Sequence, residues 1–393
     1  MAKRERLSGN EAAAIALRQI NPDVFPAFPI TPSTEIPEYF SKFVADGLVD
    51  TEFIPVESEH SSMSAALGAE AAGARSLTAT SSCGMALMWE ELYVAASDRL
   101  PLMLALVNRA LSGPININCD HSDSMGARDA GWIQLYGESN QEVYDNFVMA
   151  YRIAEHKDVR LPIMVCQDGF ITSHAVQNME LLEDEEVKNF VGEYEPEHYL
   201  LNSKESMAVG PYGVSNYYME SKYAQVVAME NAKKVAVDVM NEFSKMSGRQ
   251  YGLFEEYRLE DAEYAIVLIG SAAGTAKDAI DRFREEGKKV GLLKIRFFRP
   301  FPGEEIAKAL SKVKAIGLMD RAESFSTQGG PVGSETLAAL HRAGNTAKTI
   351  EYMYGLGGRD IKVEDFWKVF DELEEATETG NNPSGYRYRG LRE

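Results

Sequence analysis

A chain of 393 residues with 60 acidic and 40 basic side chains carries a formal charge of −20, which argues against nucleic acid or an anionic membrane as partner, since both need basic patches. With 45% hydrophobic residues it can bury a full core and divide into two or three domains. Its three cysteines, Cys83, Cys119 and Cys166, are far apart and form no CxxC, so neither a disulfide framework nor an iron–sulfur or zinc site is suggested, and a reducing compartment is. The start "MAKRERLSGNEAAAIALRQI" lacks the apolar core of a signal peptide, and no stretch approaches the roughly 20 apolar residues of a membrane span, so a soluble, cytoplasmic protein is expected.

In chain order, "LSGNEAAAIALRQI" opens with Ser8 three residues before Glu11, a capping box. "AFPITPSTEIPEYF" places Pro29, Pro32 and Pro37 where a strand should run into a helix; Phe28 to Pro32 is expected to be a fixed, extended turn, with Ser33 and Thr34 capping the helix. "TEFIPVES", the helix "HSSMSAALGAEAAGA", "RSLTATSS", the helix "MALMWEELYVAAS" and "LPLMLALVN" follow. "WIQLYG", the helix "QEVYDNFVMAYRIAEHK" and "LPIMVCQDG" continue the alternation. Nearly continuous apolar strands alternating with helices predict an α/β fold with a doubly wound, mostly parallel sheet. Residues 170 to about 250 read as an extended excursion followed by the connecting helix "YAQVVAMENAKKVAVDVMNEFSKM". A second, smaller α/β unit begins near residue 260 with "EYAIVLIGSAAGTAKDAIDRFREEGKKVGLLKI", which gives domains of 1–250 and 251–393. The charged C-terminal run "FDELEEATETGNNPSGYRYRG" is expected to be ordered only in part.

Ligands of open α/β sheets bind outside the carboxyl ends of the strands. Those ends here carry Pro29-Ile30-Thr31, Glu57-Ser58-Glu59, Ser81-Ser82, Asn108-Arg109 and Asp168. Glu59 opens a helix rich in small residues; it is either an acid stabilised by the helix dipole or a ligand-facing carboxylate. Arg109 precedes the long polar loop "ALSGPININCDHSD" and either pairs with a neighbouring carboxylate or binds a substrate carboxylate with its planar fork. Asp120 to Asp123 have no metal-ligand spacing and read as a hydrogen-bonded loop, and His60 and His174 as structural. "GSAAGT" at residues 270–275 lacks the full dinucleotide fingerprint and reads as a packing turn, and no GxxxxGK[ST] supports nucleotide hydrolysis.

Together "FPITPST", "VESEHSSMSAALGA", "TATSSCGMALM", "NRALSGPININCDHSDSM" and "DGFITSH", in that order, resemble the alpha subunit of the pyruvate:ferredoxin oxidoreductase family, the thiamine-diphosphate-dependent 2-oxoacid oxidoreductases. The resemblance implies a pyrimidine-binding domain followed by a transketolase C-terminal-like domain. It also places the diphosphate and its Mg site on a beta chain, and the iron–sulfur clusters on partner subunits that include a ferredoxin-like chain and a gamma chain. The absence of a GDG motif and of thiolate sets agrees with that division, so the chain alone should be inactive. By the same resemblance Glu59 hydrogen-bonds the aminopyrimidine ring, with Pro29 and Ser82 beside the cofactor. Arg109 holds the 2-oxoacid carboxylate and Thr31 hydrogen-bonds the substrate near the reacting carbon. Coenzyme A would collect the acyl group and ferredoxin would dock on a partner, as the acidity of this chain also suggests.

Three departures from the family's common pattern bear on the substrate: Phe28 where tyrosine is usual, Gly113 where alanine is usual, and Asn118-Cys119 after the loop. Pyruvate is the first expectation. Oxalate, which would leave no acyl group for coenzyme A, is the second. A non-catalytic scaffold, and a transketolase-like or decarboxylase enzyme without electron transfer, are the competing classes.

Overall fold

A computed structural model describes residues 3–380 and 385–392. The first part contains β1 (Lys3–Leu7), α1 (Gly9–Ile20), β2 (Val24–Ala27), α2 (Glu35–Ala45), β3 (Glu52–Pro55), α3 (Glu59–Ala72), β4 (Leu77–Thr80), α4 (Ser82–Leu87), α5 (Trp89–Ser97), β5 (Met103–Asn108), α6 (Ser122–Gly126), β6 (Ile133–Gly137), α7 (Asn140–Ala154) and β7 (Ile163–Asp168). The excursion holds β8 (Gln177–Leu181), α8 (Asp184–Val191) and α9 (Tyr218–Ser247). The last part holds β9 (Phe254–Tyr257), β10 (Tyr264–Ile269), α10 (Ala272–Glu285), β11 (Val290–Ile295), β12 (Phe297–Arg299), α11 (Gly303–Ala309), β13 (Ala315–Asp320), α12 (Pro331–Arg342), β14 (Lys348–Met353), α13 (Val363–Thr379) and β15 (Arg387–Tyr388). Among the described residues no helix is long and apolar enough to cross a membrane.

Two α/β sheets result. The first has strand order β12-β6-β7-β5-β4, and the parallel pair β2-β3 extends it through a single bridge between Val24 and Ser76. The second has order β15-β14-β13-β10-β11-β9, parallel except for β9. Both sheets are buried on two faces, and alternation sorts their side chains. In β5, Met103, Ala105 and Val107 join the core under α1 and α7, whereas Leu104 and Leu106 face the other sheet. In β10, Ile266 and Leu268 pack under α10 and α13, whereas Ala265, Val267 and Ile269 enter the core shared with the first sheet. That shared apolar core fixes the two sheets against each other. Charge adds to it: Lys294 of β11, almost fully buried, is held by Glu138, Glu142 and Glu255 at 2.5, 2.6 and 2.6 Å.

The capping box of α1 forms in full, with Glu11 N donating to Ser8 Oγ and Ser8 N to Glu11 Oε2. Several features differ from expectation. Thr34 occupies the cap position of α2 but makes no side-chain cap, and Ser33 Oγ instead donates back to Ile30 O at 2.8 Å. The helix expected over residues 85–97 breaks at Met88 into α4 and α5. β1 and β8 form an antiparallel pair that no periodicity announced. β12 leaves the second part of the chain and pairs antiparallel with β6 of the first sheet, crossing the division expected near residue 250. The C-terminal run is ordered where described: α13 extends to Thr379 because Phe366, Val369, Phe370, Leu373 and Ala376 form one apolar stripe on the core, and β15 pairs with β14. Residues 381–384 of that run lie outside the described residues.

Candidate active site

The three-proline stretch forms a closed turn after β2. Ser33 N donates to Ile30 O, and Asn10 of α1 donates Nδ2 to Pro32 O at 2.9 Å. Pro32 lies against Gly169, where a β-carbon would sit 2.8 Å from its ring. The turn is thereby fixed from two elements and leaves the Thr31 side chain exposed. Phe28 and Pro29 lie on the approach to it, half-buried and exposed.

Arg109 follows β5, and its side chain is largely buried. Its Nη1 donates to Thr31 O at 3.0 Å and its Nε to Asn116 O at 2.9 Å. Among the described residues it forms no ion pair, so the alternative in which a neighbouring carboxylate pairs with it does not hold among them. Two of its N–H groups hold it in place by backbone carbonyls, and the charge stays available for an external anion. Below it, Asp123 accepts from Arg109 N at 2.9 Å, Ser82 N at 3.0 Å, Asn108 Nδ2 at 2.8 Å and Ser124 N at 2.7 Å. One buried carboxyl thus ties the ends of β4 and β5 to the loop; burial pushes its pKa up to about 6 against the pull of those donors. Ser82 is fully buried at φ 46° and its hydroxyl donates to Ala110 O, so it builds the floor of the site. Gly113 lies on the exposed arc of the loop at φ 129°, a conformation that favours glycine, with open space where a β-carbon would be. No hydrogen bond among the described residues joins Phe28, Pro29 or Gly113 to Arg109.

Glu59 is the first residue of α3, a helix capped by Ser58 Oγ from Ser61 N, and is mostly buried. Ser62, one turn along, binds Pro26 O at 2.8 Å and Thr78 Oγ1 at 2.6 Å, which seats the helix between β2 and β4. The Glu59 carboxylate has no hydrogen-bond partner among the described residues. Beside it runs the backbone of α4: a β-carbon on Gly84 would fall 2.7 Å from Glu59 Cγ, 2.8 Å from its Oε1 and 2.3 Å from Thr80 Oγ1. Thr80 Oγ1 and the neighbouring Ser81 Oγ are buried without a partner among the described residues. An unpaired acid and an unpaired hydroxyl therefore converge on a glycine, the arrangement left when a polar ligand supplies the missing partners.

Asp168, at the end of β7, closes the site from behind. Its carboxylate binds His121 Nε2 at 2.8 Å, Arg321 Nη1 at 3.0 Å, and both the backbone N and hydroxyl of Ser271. Ser271 precedes α10, so the "GSAAGT" turn does meet an anion at a helix N-terminus, and that anion belongs to the protein's own first sheet. Burial opposes the charge on Asp168, but His121, Arg321 and Ser271 outweigh it and hold the carboxyl well below the usual range. Ligand atoms of Cys119, His121 and Asp168 lie within 4.8 Å of one another, yet the Arg321 guanidinium already occupies Asp168 and would repel a cation. Thr80, Asn116, Asp123, His121, Ser271 and Arg321 were not singled out in the sequence as site residues. The long polar loop ending in "DHSD" holds Asn116, His121 and Asp123 and the "GSAAGT" turn holds Ser271, whereas Arg321 has no local signal.

Residues 15–241 match the family described as pyruvate flavodoxin/ferredoxin oxidoreductase, thiamine-diphosphate binding, and residues 262–366 match pyruvate:ferredoxin oxidoreductase core domain II. The chain belongs to the pyruvate:ferredoxin oxidoreductase family. Over 391 residues it is 52% identical to pyruvate synthase subunit PorA of Thermotoga maritima, covering 100% of this chain and 99% of that one. It is 46% identical to the subunit of the same name from Methanocaldococcus jannaschii, over 94% of this chain and 95% of that one. The NADH-dependent phenylglyoxylate dehydrogenase subunit alpha of Aromatoleum evansii is 42% identical, over 93% and 90%. In fold it is similar to a 2-oxoglutarate:ferredoxin oxidoreductase from Magnetococcus marinus with 2-oxoglutarate, coenzyme A and succinyl-CoA bound, with a TM-score of 0.70 at 21% identity, over 96% of this chain and 66% of that one.

The first-sheet residues fit the cofactor of this oxidoreductase family. Among the described residues the Glu59 carboxylate is an acceptor and the Thr80 hydroxyl a donor without partners, as a nitrogen heterocycle with an amino group could use, and the missing β-carbon of Gly84 lets α4 pack directly on both.

Proposed function

We propose that this chain is the alpha subunit of a pyruvate:ferredoxin oxidoreductase, which oxidatively decarboxylates pyruvate in the presence of coenzyme A. The observation that carries the substrate role is Arg109, held by two backbone carbonyls beside the Thr31 turn with no carboxylate paired to it among the described residues. Such a guanidinium would bind the carboxylate of a small 2-oxoacid through its remaining N–H groups, and the exposed Thr31 hydroxyl would bond the substrate near the carbonyl that reacts. Glu59 would bond the aminopyrimidine ring, holding the proton that the ring nitrogen needs; Ser82 and the Pro29 approach shape the walls. When bound, thiamine diphosphate supplies the carbanion that attacks the 2-oxoacid and the sink for electrons left as CO2 departs. Pyruvate is favoured over other 2-oxoacids by the relatives named pyruvate synthase subunits.

The site is open in this chain. Ile115 and Ile117 are exposed apolar side chains on the Arg109 loop itself, as expected where another subunit completes a cleft. A beta chain carrying the diphosphate and Mg site, a ferredoxin-like cluster chain and a gamma chain, in the cytoplasm, account for the chemistry that these residues cannot perform. The test is viologen reduction by the complex isolated anaerobically through this chain. Reduction that requires both pyruvate and coenzyme A is the expected result; reduction by oxalate without coenzyme A would replace pyruvate as substrate, and a complex without iron would refute the electron-transfer class.

A further inference from the structure

The loop that anchors Arg109 is itself gripped by the second sheet. Between β14 and α13 the chain forms a tight turn in which Gly355, Gly357 and Gly358 all have positive φ, 64°, 58° and 81°. Asn116 donates Nδ2 to Gly357 O at 2.9 Å, Gly357 N donates to Asp120 Oδ2 at 3.1 Å, and Gly358 N donates to Cys119 O at 2.7 Å. Contact is close enough to demand glycine. A β-carbon at Gly357 would stand 2.5 Å from Asn116 Nδ2, and one at Gly358 would stand 2.3 Å from the β-carbon of Asn118. The turn is held in its own right: Arg321, anchored to Asp168, donates Nε to Gly355 O at 3.2 Å, and His121 N donates to Arg321 O at 2.8 Å.

Asn116 is the pivot. Its side chain faces the glycine turn, and its carbonyl accepts from Arg109 Nε. A planar guanidinium with one edge fixed by Asn116 O and another by Thr31 O has little rotational freedom left, so a shift of Asn116 turns the fork that faces the substrate. We propose that the glycine turn at 355–358 is a positioning element for substrate recognition, setting the Arg109 guanidinium through Asn116. The second sheet thereby contributes to the affinity for the 2-oxoacid although it supplies no group that touches it. Asn118, one of the positions where this chain departs from the common family pattern, is packed on Gly358 and helps to set that register. The inference rests on Arg109 being the carboxylate ligand.

Four variants of the purified complex test it: Arg109→Ala, Asn116→Ala, Gly358→Ala, and Gly358→Ala combined with Asn118→Gly. The readouts are KM and kcat for pyruvate, the Kd for oxamate by calorimetry, and bound thiamine diphosphate. Asn116→Ala is expected to raise KM and the oxamate Kd about tenfold, the effect of loosening one charge-assisted contact, with kcat and cofactor content nearly unchanged. Gly358→Ala should do the same, and Asn118→Gly should recover part of the loss by removing the clashing β-carbon; should the single Gly358 variant fail to assemble, Asn116→Ala still decides. If Arg109→Ala weakens oxamate binding while Asn116→Ala leaves it at the wild-type value, the positioning role is overturned and the carboxylate role stands. Unchanged oxamate binding in Arg109→Ala would overturn both.

Discussion

Glu59 and Asp168 lie at the same edge of the first sheet in opposite surroundings. Asp168 is saturated by His121, Arg321 and Ser271, whereas Glu59 has no hydrogen-bond partner among the described residues. A saturated acid stabilises; an unsaturated one beside an orphaned hydroxyl waits for a ligand. Glu59→Gln removes the ionisable carboxyl and keeps the shape. Turnover of the complex should then fall by about two to four orders of magnitude with assembly intact, checked by single-turnover kinetics against native gel mobility. Asp168→Asn should instead act on stability, lowering it by about 3 kcal/mol or more at neutral pH because the buried Arg321 loses its counter-charge. Since the folded-state pKa of Asp168 is depressed, its contribution is present above the unfolded value of about 4 and is lost as pH falls through the folded one. Thermal midpoints of wild type and variant should therefore differ most above about pH 4 and converge in strong acid. Glu59, Arg109 and Thr31 can be marked in the sequence as polar residues at the carboxyl ends of apolar strands, and their expected roles come from the family resemblance. Asn116 and Arg321 are not so marked, since what makes them matter is a partner brought close by folding: Asn116 meets Gly357 across 241 residues.

Among the elements, the proline turn shows how much a local signal can fix. Three prolines predicted a rigid approach to Thr31, and rigidity is what Asn10 and Gly169 complete from outside the stretch. The capping of α2 was misread because Ser33 had a nearer acceptor in Ile30 O. β1, β8 and β12 escaped notice because short edge strands carry no buried period, while the β5 and β7 runs, buried on both faces, were plain. Strand β11 carries a further liability in Lys294. Burial pulls its ammonium toward neutrality, but Glu142, Glu138 and Glu255 overcome this and raise the pKa to about 12. Lys294→Met would leave three carboxylates converging without a cation and should cost about 3–5 kcal/mol, seen as a lowered thermal midpoint. Because the folded-state value lies above the unfolded one, the lysine's contribution is complete below about pH 10 and fades only as pH rises toward the folded value, so the difference should stay constant from pH 7 to 9.

For the whole molecule, the fold class followed from alternation of strand and helix, but the way the two sheets share a core did not, because apolar strands do not announce which face meets which. Residues 1–250 alone would lack β12 and would expose Leu104, Leu106 and Met164, which pack on β10 and β13 in the intact chain. That fragment is expected to aggregate or to bind a hydrophobic dye strongly, and a soluble monomer with a sharp thermal transition would contradict the shared core. The formal charge of −20 has a complementary effect, since it keeps free chains apart by repulsion while apolar side chains such as Ile115 are exposed. β12 also sets a timetable. As the chain emerges from the ribosome, β6 has a bare edge until Phe297–Arg299 have been made, well after the rest of its sheet. During that interval the half that carries Glu59 and Arg109 is exposed to wrong pairings, so the speed with which about 160 further residues are translated, a matter of seconds to tens of seconds, becomes part of how this subunit reaches its native state.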